Sequence, residues 1–442
     1  MDIGNIVKDD HKQYNLQSWS KQGAINPLAI EKTEGIYLYT YEGERYADMS
    51  AQLINMNLGH SCKEIVDAIK EQADKFCFLA PSYAVESRSL LAKKLIEIMP
   101  DNIEKVFFTN GGADANEHAI RVARMYTGRH KMFSRYRSYH GATFGAANLT
   151  GEPRRFAAEP GIAGFVKFFD PYVYREQFCF ESEEAAGNYY VEKLREQIIY
   201  ENPDSVAAIF LETVTGSNGV IIPPSNYLPG VRKLCDEFGI LLVLDEVMAG
   251  FGRTGKMFSF EHWGIKPDII TFAKGVTCGY VQLGGMAVSK EIAEHFENNV
   301  FSCGLTYSGH PLACAAGVAC LDYFMNNPVL ENVNSVGKVL GELLEDLKQK
   351  HACVGEVRYI GLFAAVELVK SKETKEAFVS YGKDPEGKMG KILGLLRERK
   401  FLTYTHENMI LIGPPLIITE EQLREEMAKM DEVLSIVDKE MI

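Results

Sequence analysis

No cysteine pair with the spacing C-x-x-C occurs in the 442 residues. The nine cysteines present (Cys62, Cys77, Cys179, Cys235, Cys278, Cys303, Cys314, Cys320 and Cys353) are scattered and odd in number. That pattern suits reduced thiols of a cytoplasmic protein and excludes a disulfide framework that pairs every cysteine. No run approaches the ~20 apolar residues of a membrane span, and MDIGNIVKDDHKQY at the start lacks the apolar core of a signal peptide. A cytoplasmic chain with no membrane partner is therefore expected. Positive charge is in deficit, 47 Lys+Arg against 60 Asp+Glu for a net charge of −13. Such a balance argues against a nucleic-acid partner, while leaving room for a local basic pocket that takes a small anion. H-E-x-x-H, Cys/His metal spacings and a G-x-S-x-G elbow are all missing, so zinc and serine hydrolases lack support and no metal site is expected. Internal repeats, low-complexity tracts and obvious flexible linkers are absent as well.

What is present reads as an ordinary globular composition, 46% hydrophobic and 24% charged, with length enough for two or three domains. Residues 1–60 form an entry segment and a hairpin, GIYLYTYEGERYADMS, turning at Glu42-Gly43. Over 61–328, helical stretches such as KEIVDAIKEQADK alternate with short apolar strands: KVFFTN, AAIFLE, ILLVLDEV and IITFA. Strands separated by helices predict parallel βαβ units, hence a large α/β domain with helices on both faces. Residues 329–442 carry amphipathic helices around strands near VRYIGLFAAVEL and MILIG, a smaller α+β domain that the N-terminal segment joins.

Ligands of open α/β sheets bind beyond the carboxyl ends of the strands, and four such ends are chemically loaded. KVFFTN leads into GGADANEHAIRVARMYTGR, where a glycine turn feeds a helix with Ala115, Ala119, Val122, Ala123 and Tyr126 on one face. A helix start offers free N–H groups and a positive dipole end to a phosphate, although plain strand-to-helix turns also use glycine. AAIFLE leads into TVTGSNGV. ILLVLDEV ends on Asp245-Glu246, carboxylates that close an apolar strand and need matching. IITFA ends on Lys274, a residue seldom placed against a buried strand without a partner. The loop GFGRTGKM nearly spells a phosphate-binding P-loop, but Met257 stands where a Ser or Thr would ligate Mg²⁺, and the P-loop reading is rejected. RSYHGATFG adds an aromatic residue and a histidine beside glycine, and LTYSGHPLACAAG a further turn before an apolar helix.

One cofactor needs a phosphate anchor, an acid for a pyridine nitrogen, a stacking ring and a lysine at once: pyridoxal 5'-phosphate, whose aldehyde a lysine holds as an imine. From about Trp19 to GPPLIIT the chain resembles class III (omega) aminotransferases of the fold-type I pyridoxal phosphate enzymes. LDEVMAGFGRTG followed by PDIITFAKGVTCGY carries most of that resemblance, supported by YHG and TYSGHP. It implies a large domain with a mostly parallel seven-stranded sheet flanked by helices, and a smaller α+β domain. By the same resemblance Lys274 holds the cofactor and shuttles the proton, and Asp245 binds the pyridine nitrogen. Val247 and Tyr139 pack on the two ring faces, with His140 beside Tyr139. Gly112 and Ala113 give N–H groups to the phosphate, and Glu212 matches the family's glutamate. Thr306 reaches the phosphate of a neighbouring subunit, which implies a homodimer and leaves a tetramer open.

Three departures stand out. The phosphate turn, commonly Ser-Gly-Ser/Thr-Glu in the family, reads Gly111-Gly112-Ala113-Asp114, so backbone donors carry more of the anchoring. Thr213 replaces the usual proline after Glu212. FLTYTHENMILIGPP lacks the arginine that many members place before the Pro-Pro turn, with Tyr404 near that spot. Arg154 in GEPRR and Trp19 in LQSWSKQG become the candidates for an acidic substrate, and both stretches are similar to taurine:2-oxoglutarate aminotransferases. The resemblance implies a ping-pong transfer from an omega-amino donor, taurine as the first reading, to 2-oxoglutarate or pyruvate. Alternatives are an omega-amino carboxylate such as β-alanine or 4-aminobutyrate, a simple amine, or a mutase, racemase or decarboxylase on the same fold.

Overall fold

The computed structural model describes residues 2–441. After an N-terminal helix, Ile3–Tyr14, come three antiparallel strands, β1 (Ile30–Glu34), β2 (Tyr37–Thr40) and β3 (Arg45–Asp48). Seven strands make the large sheet: β4 (Ile103–Thr109), β5 (Lys131–Arg135), β6 (Phe165–Phe168), β7 (Val206–Leu211), β8 (Leu241–Asp245), β9 (Ile269–Phe272) and β10 (Gly284–Ser289). Five C-terminal strands form a further antiparallel sheet or join the first one: β11 (Val354–Ile360), β12 (Phe363–Ser371), β13 (Glu376–Ala377), β14 (Phe401–Leu402) and β15 (Thr405–His406). β16 (Met409–Ile412) completes that C-terminal sheet.

The large sheet has the order β4-β10-β9-β8-β7-β5-β6, and only β10 runs against its neighbours. It is the mostly parallel seven-stranded sheet, flanked by helices, that the resemblance implies. Every residue of β7 and β8 is buried, the signature of strands covered by helices on both faces. The four strands read from the sequence are β4, β7, β8 and β9. The other three are short or interrupted by polar and glycine residues. β10 begins Gly284-Gly285 because a Cβ on Gly284 would lie 2.5 Å from the Gly111 backbone and one on Gly285 would strike the Phe272 ring at 2.5 Å.

The two chain ends meet. Phe401 and Leu402 of β14 pair parallel to Ala47 and Asp48 of β3, adding a C-terminal strand to the N-terminal sheet. The last helix, Glu420–Glu440, starts at a capping box in which Thr419 Oγ1 accepts from the Gln422 N–H at 3.2 Å and Gln422 returns the bond at 3.0 Å. Its buried stripe of Leu423, Met427, Met430, Leu434 and Val437 closes the core. Among the described residues no helix is long and apolar enough to cross a membrane.

Candidate active site

Since β4, β5, β7, β8 and β9 point the same way, their carboxyl ends share one edge of the sheet. The phosphate-ready turn, the Tyr139 loop, Glu212, Asp245 and Lys274 all leave from that edge. Antiparallel β10 brings its glycine start to the same place.

Asp245 is the last residue of β8 and is buried. Its Oδ2 accepts from Asn116 Nδ2 at 2.8 Å and from His140 Nδ1 at 2.7 Å, and its Oδ1 accepts from the Val247 N–H at 3.0 Å. Asn116 is fixed in turn. Its Oδ1 accepts from Thr271 Oγ1 at 3.0 Å, and its amide donates to the His140 carbonyl at 2.9 Å. A carboxylate oxygen has two acceptor directions, so Oδ1 can still take a proton donor from outside this net. His140 therefore braces the carboxylate, whereas Tyr139 presents its ring.

Lys274 follows β9 in a left-handed conformation, φ +48°, the kind of local strain that folded structures hold at functional positions. Among the described residues its ammonium makes no ion pair or hydrogen bond. Burial lowers its pKa to about 8, opposed by Asp245 and Glu212 and assisted by Arg154 and Arg253. An amine so tuned is a usable nucleophile and base near neutral pH.

Helix Gly112–Thr127 begins where the turn from β4 ends, and its first N–H groups lack intrahelical partners. A Cβ on Gly112 would sit 2.9 Å from both Val247 methyl carbons, so Val247 and the anion-ready turn are in contact. A second buried donor stands close by in sequence to the Tyr139 loop: Thr143 Oγ1, without a partner among the described residues.

Tyr139, Arg154 and Trp19 converge. The Arg154 guanidinium lies 3.8 Å from the Tyr139 ring centre and 5.3 Å from that of Trp19, and the two rings meet edge to face at 6.3 Å. Arg154 is oriented by the buried carboxylate of Glu152, which takes its Nε–H, and by Ser217 Oγ at 3.0 Å from Nη2. Among the described residues the Glu212 carboxylate pairs with no arginine, and Arg135 Nη2 donates to its backbone carbonyl instead. Its Oε1 accepts from the Tyr139 N–H at 3.1 Å and its Oε2 from the Gly216 N–H at 2.7 Å, and burial raises its pKa. Thr306 alone stands apart: it is exposed, in the loop before helix Pro311–Asn326.

Residues 19–434 match the model of the family described as aminotransferase class-III. The chain belongs to the class-III aminotransferases. Taurine:2-oxoglutarate aminotransferase of Bifidobacterium kashiwanohense, solved with pyridoxal phosphate and glutamate, is 51% identical with a TM-score of 0.97 over 99% of both chains. An (S)-enantioselective omega-transaminase of Thermomicrobium roseum is 35% identical with a TM-score of 0.92 over 98% of both chains. Taurine–pyruvate aminotransferase of Bilophila wadsworthia is 31% identical over 97% of this chain and 96% of that protein.

In this aminotransferase four positions went unread in the sequence. Asn116 had a visible signal, a polar residue on the buried face of the helix that carries Ala115, Ala119 and Ala123. Thr271 looks like a strand threonine and Glu152 like a loop acid. Arg253, inside the false P-loop, is wholly buried and donates to the carbonyls of Leu362 (2.9 Å) and Pro414 (2.6 Å) and to Asn57 Oδ1 (2.9 Å). No local pattern marks such a tie.

Proposed function

We propose that this pyridoxal phosphate enzyme moves the amino group of taurine, or of a closely similar omega-amino acid, to 2-oxoglutarate or pyruvate in two half-reactions. The residues fit the cofactor. Gly112 and Ala113 hold its phosphate, Tyr139 and Val247 its two ring faces, and Asp245, braced by Asn116 and His140, its ring nitrogen. When bound, the cofactor supplies an aldehyde that accepts the amino group and a protonated ring that draws electrons from the substrate carbon. Lys274 Nζ holds the cofactor in the resting enzyme, gives way to the donor amine, and as a neutral amine takes the proton from the substrate carbon. Asp245, held by Asn116, His140 and the Val247 N–H, would accept the hydrogen bond of the ring nitrogen through Oδ1.

One observation carries the donor reading: the Arg154 guanidinium lies over both Tyr139 and Trp19, a cation on the substrate side of the ring. A sulfonate fits there, and so does the carboxylate of β-alanine or 4-aminobutyrate. The likeness to a taurine:2-oxoglutarate aminotransferase favours the sulfonate. Exposed Thr306, with Tyr307 beside it more than half exposed, suits a homodimer in which each subunit completes the other's phosphate site. Nine cysteines that are all free suit the cytoplasm.

A half-reaction screen tests this. The yellow enzyme is mixed with taurine, β-alanine, 4-aminobutyrate and simple amines, and conversion to the amino form of the cofactor is followed by absorbance. Taurine is expected to convert it fastest. Failure of taurine with success of an omega-amino carboxylate overturns the sulfonate reading and leaves the aminotransferase intact.

A further inference from the structure

The missing arginine of the C-terminal sheet leaves a question of chemistry. A sulfonate drawn out of water has three oxygens to satisfy, and Arg154 has spent two of its donors on Glu152 and Ser217. Among the described residues only Nη1 has no partner. Glu152 also offsets the charge of Arg154, so a bound anion meets a guanidinium that is already half neutralised.

The strand opposite supplies what is lacking. Tyr404 precedes β15 and His406 ends it, two residues apart on an extended chain, so their side chains leave on the same side. β15 is pinned from behind. His406 pairs with Met409 of β16, the Leu411 N–H donates to the Tyr404 carbonyl at 3.1 Å, and the next residue, Glu407, is bonded to Arg137 at 3.2 Å. Tyr404 packs against the apolar cluster that includes Val214 and Val220, residues of the loop whose Ser217 holds Arg154. Two buried polar atoms on this strand have no partner among the described residues, Tyr404 Oη and His406 Nε2. Buried groups of this kind are normally satisfied, and a pair on one face of a strand that both feel the Arg154 charge is open to a ligand.

We propose that the Tyr404 hydroxyl and the His406 Nε2–H form, with Arg154 Nη1, the three-donor pocket for the donor's sulfonate oxygens and so replace the missing arginine. This rests on the donor reading above. Arg154, Arg253 and Glu212 act electrostatically on both Tyr404 and Lys274, so the tyrosine shares the charged surroundings of that amine. Burial, reinforced by Arg154 and Arg137, lowers the His406 pKa to about 4. The imidazole is thus a neutral donor at working pH, and the pocket adds no second full charge against the cation.

Binding of ethanesulfonate, which carries the anion but no amine, separates the pocket from the chemistry. Its Kd for the cofactor-loaded enzyme is measured by calorimetry for wild type, Tyr404→Phe, His406→Leu and His406→Gln. Each of the first two variants is expected to weaken binding about tenfold, the scale of one hydrogen bond to a charged group. His406→Gln, which keeps an N–H near the same place, is expected to recover most of the loss. Wild-type Kd in Tyr404→Phe or His406→Leu, or a His406→Gln variant as weak as His406→Leu, overturns the pocket. Were the wild type to bind ethanesulfonate yet convert no sulfonate donor, the donor reading would fall and the pocket would stand.

Discussion

Lys274 is the residue on which the site turns, and its chemistry is set by where β9 ends. Burial removes water from the ammonium faster than Asp245 and Glu212 replace it, so the neutral amine gains. Below pH 8 the neutral fraction rises tenfold per pH unit, and it is about a tenth at pH 7 for a pKa of about 8. The rate at which cofactor-free enzyme captures pyridoxal phosphate should therefore climb with unit slope and level off above about pH 8, in stopped-flow absorbance. A midpoint near 10 would mean that the lysine is solvated. Asp245→Asn keeps the shape and removes the charge, and should slow the half-reaction with the amino donor about 100-fold or more in single-turnover measurements. Asn116→Ala leaves the charge and loosens its aim, costing about tenfold in the same measurement. Lys274, Asp245 and Glu212 were legible as candidates because each stands where an apolar run stops, and Tyr139 through the YHG resemblance. Asn116 was not, since it bonds to His140, Asp245 and Thr271, distant in sequence and brought near only by the sheet, and Glu152, which bonds Arg154 two residues on, reads as an ordinary loop acid.

At the level of elements, three of the strands that could be read, β7, β8 and β9, are buried at every position, and β4 was read from its apolar Val106-Phe107-Phe108 run although Glu104 and Lys105 are exposed. β5 and β6 are short and carry lysine, arginine or serine, and β10 opens on two glycines that resemble a loop. Those glycines have a physical task that only the fold reveals. The Gly284 backbone lies against Gly111, in the turn that precedes helix Gly112–Thr127, and leaves no room for a methyl group. Gly284→Ala should push that turn off its position, lowering stability by about 1–3 kcal/mol and weakening cofactor binding beyond that general loss. Thermal unfolding of the cofactor-free protein and titration with pyridoxal phosphate report the two effects separately. Unchanged cofactor affinity in Gly284→Ala would remove β10 from the account of the site.

For the molecule as a whole, the loop GFGRTGKM shows why a pattern must be read with its surroundings. By spacing alone Lys256 is the functional residue and Arg253 an incidental one. In the fold Lys256 is exposed, while Arg253 is sealed among three separate segments, reaching Asn57 before the large sheet, the turn at Leu362 between β11 and β12, and Pro414 after β16. Burial brings its pKa down to about 9, a cost accepted because those acceptors would otherwise stay unpaired where water cannot reach them. The same charge acts on Lys274, so a tie between segments also shapes the reacting amine. Arg253→Leu should lower stability by about 3–5 kcal/mol, since the orphaned acceptors each carry a desolvation penalty. Lys256→Ala should stay within about 0.5 kcal/mol and transfer the amino group at the wild-type rate. Urea unfolding of both variants with steady-state assays decides between the two roles. Loss of activity in Lys256→Ala with a stable Arg253→Leu protein would restore the nucleotide-loop reading.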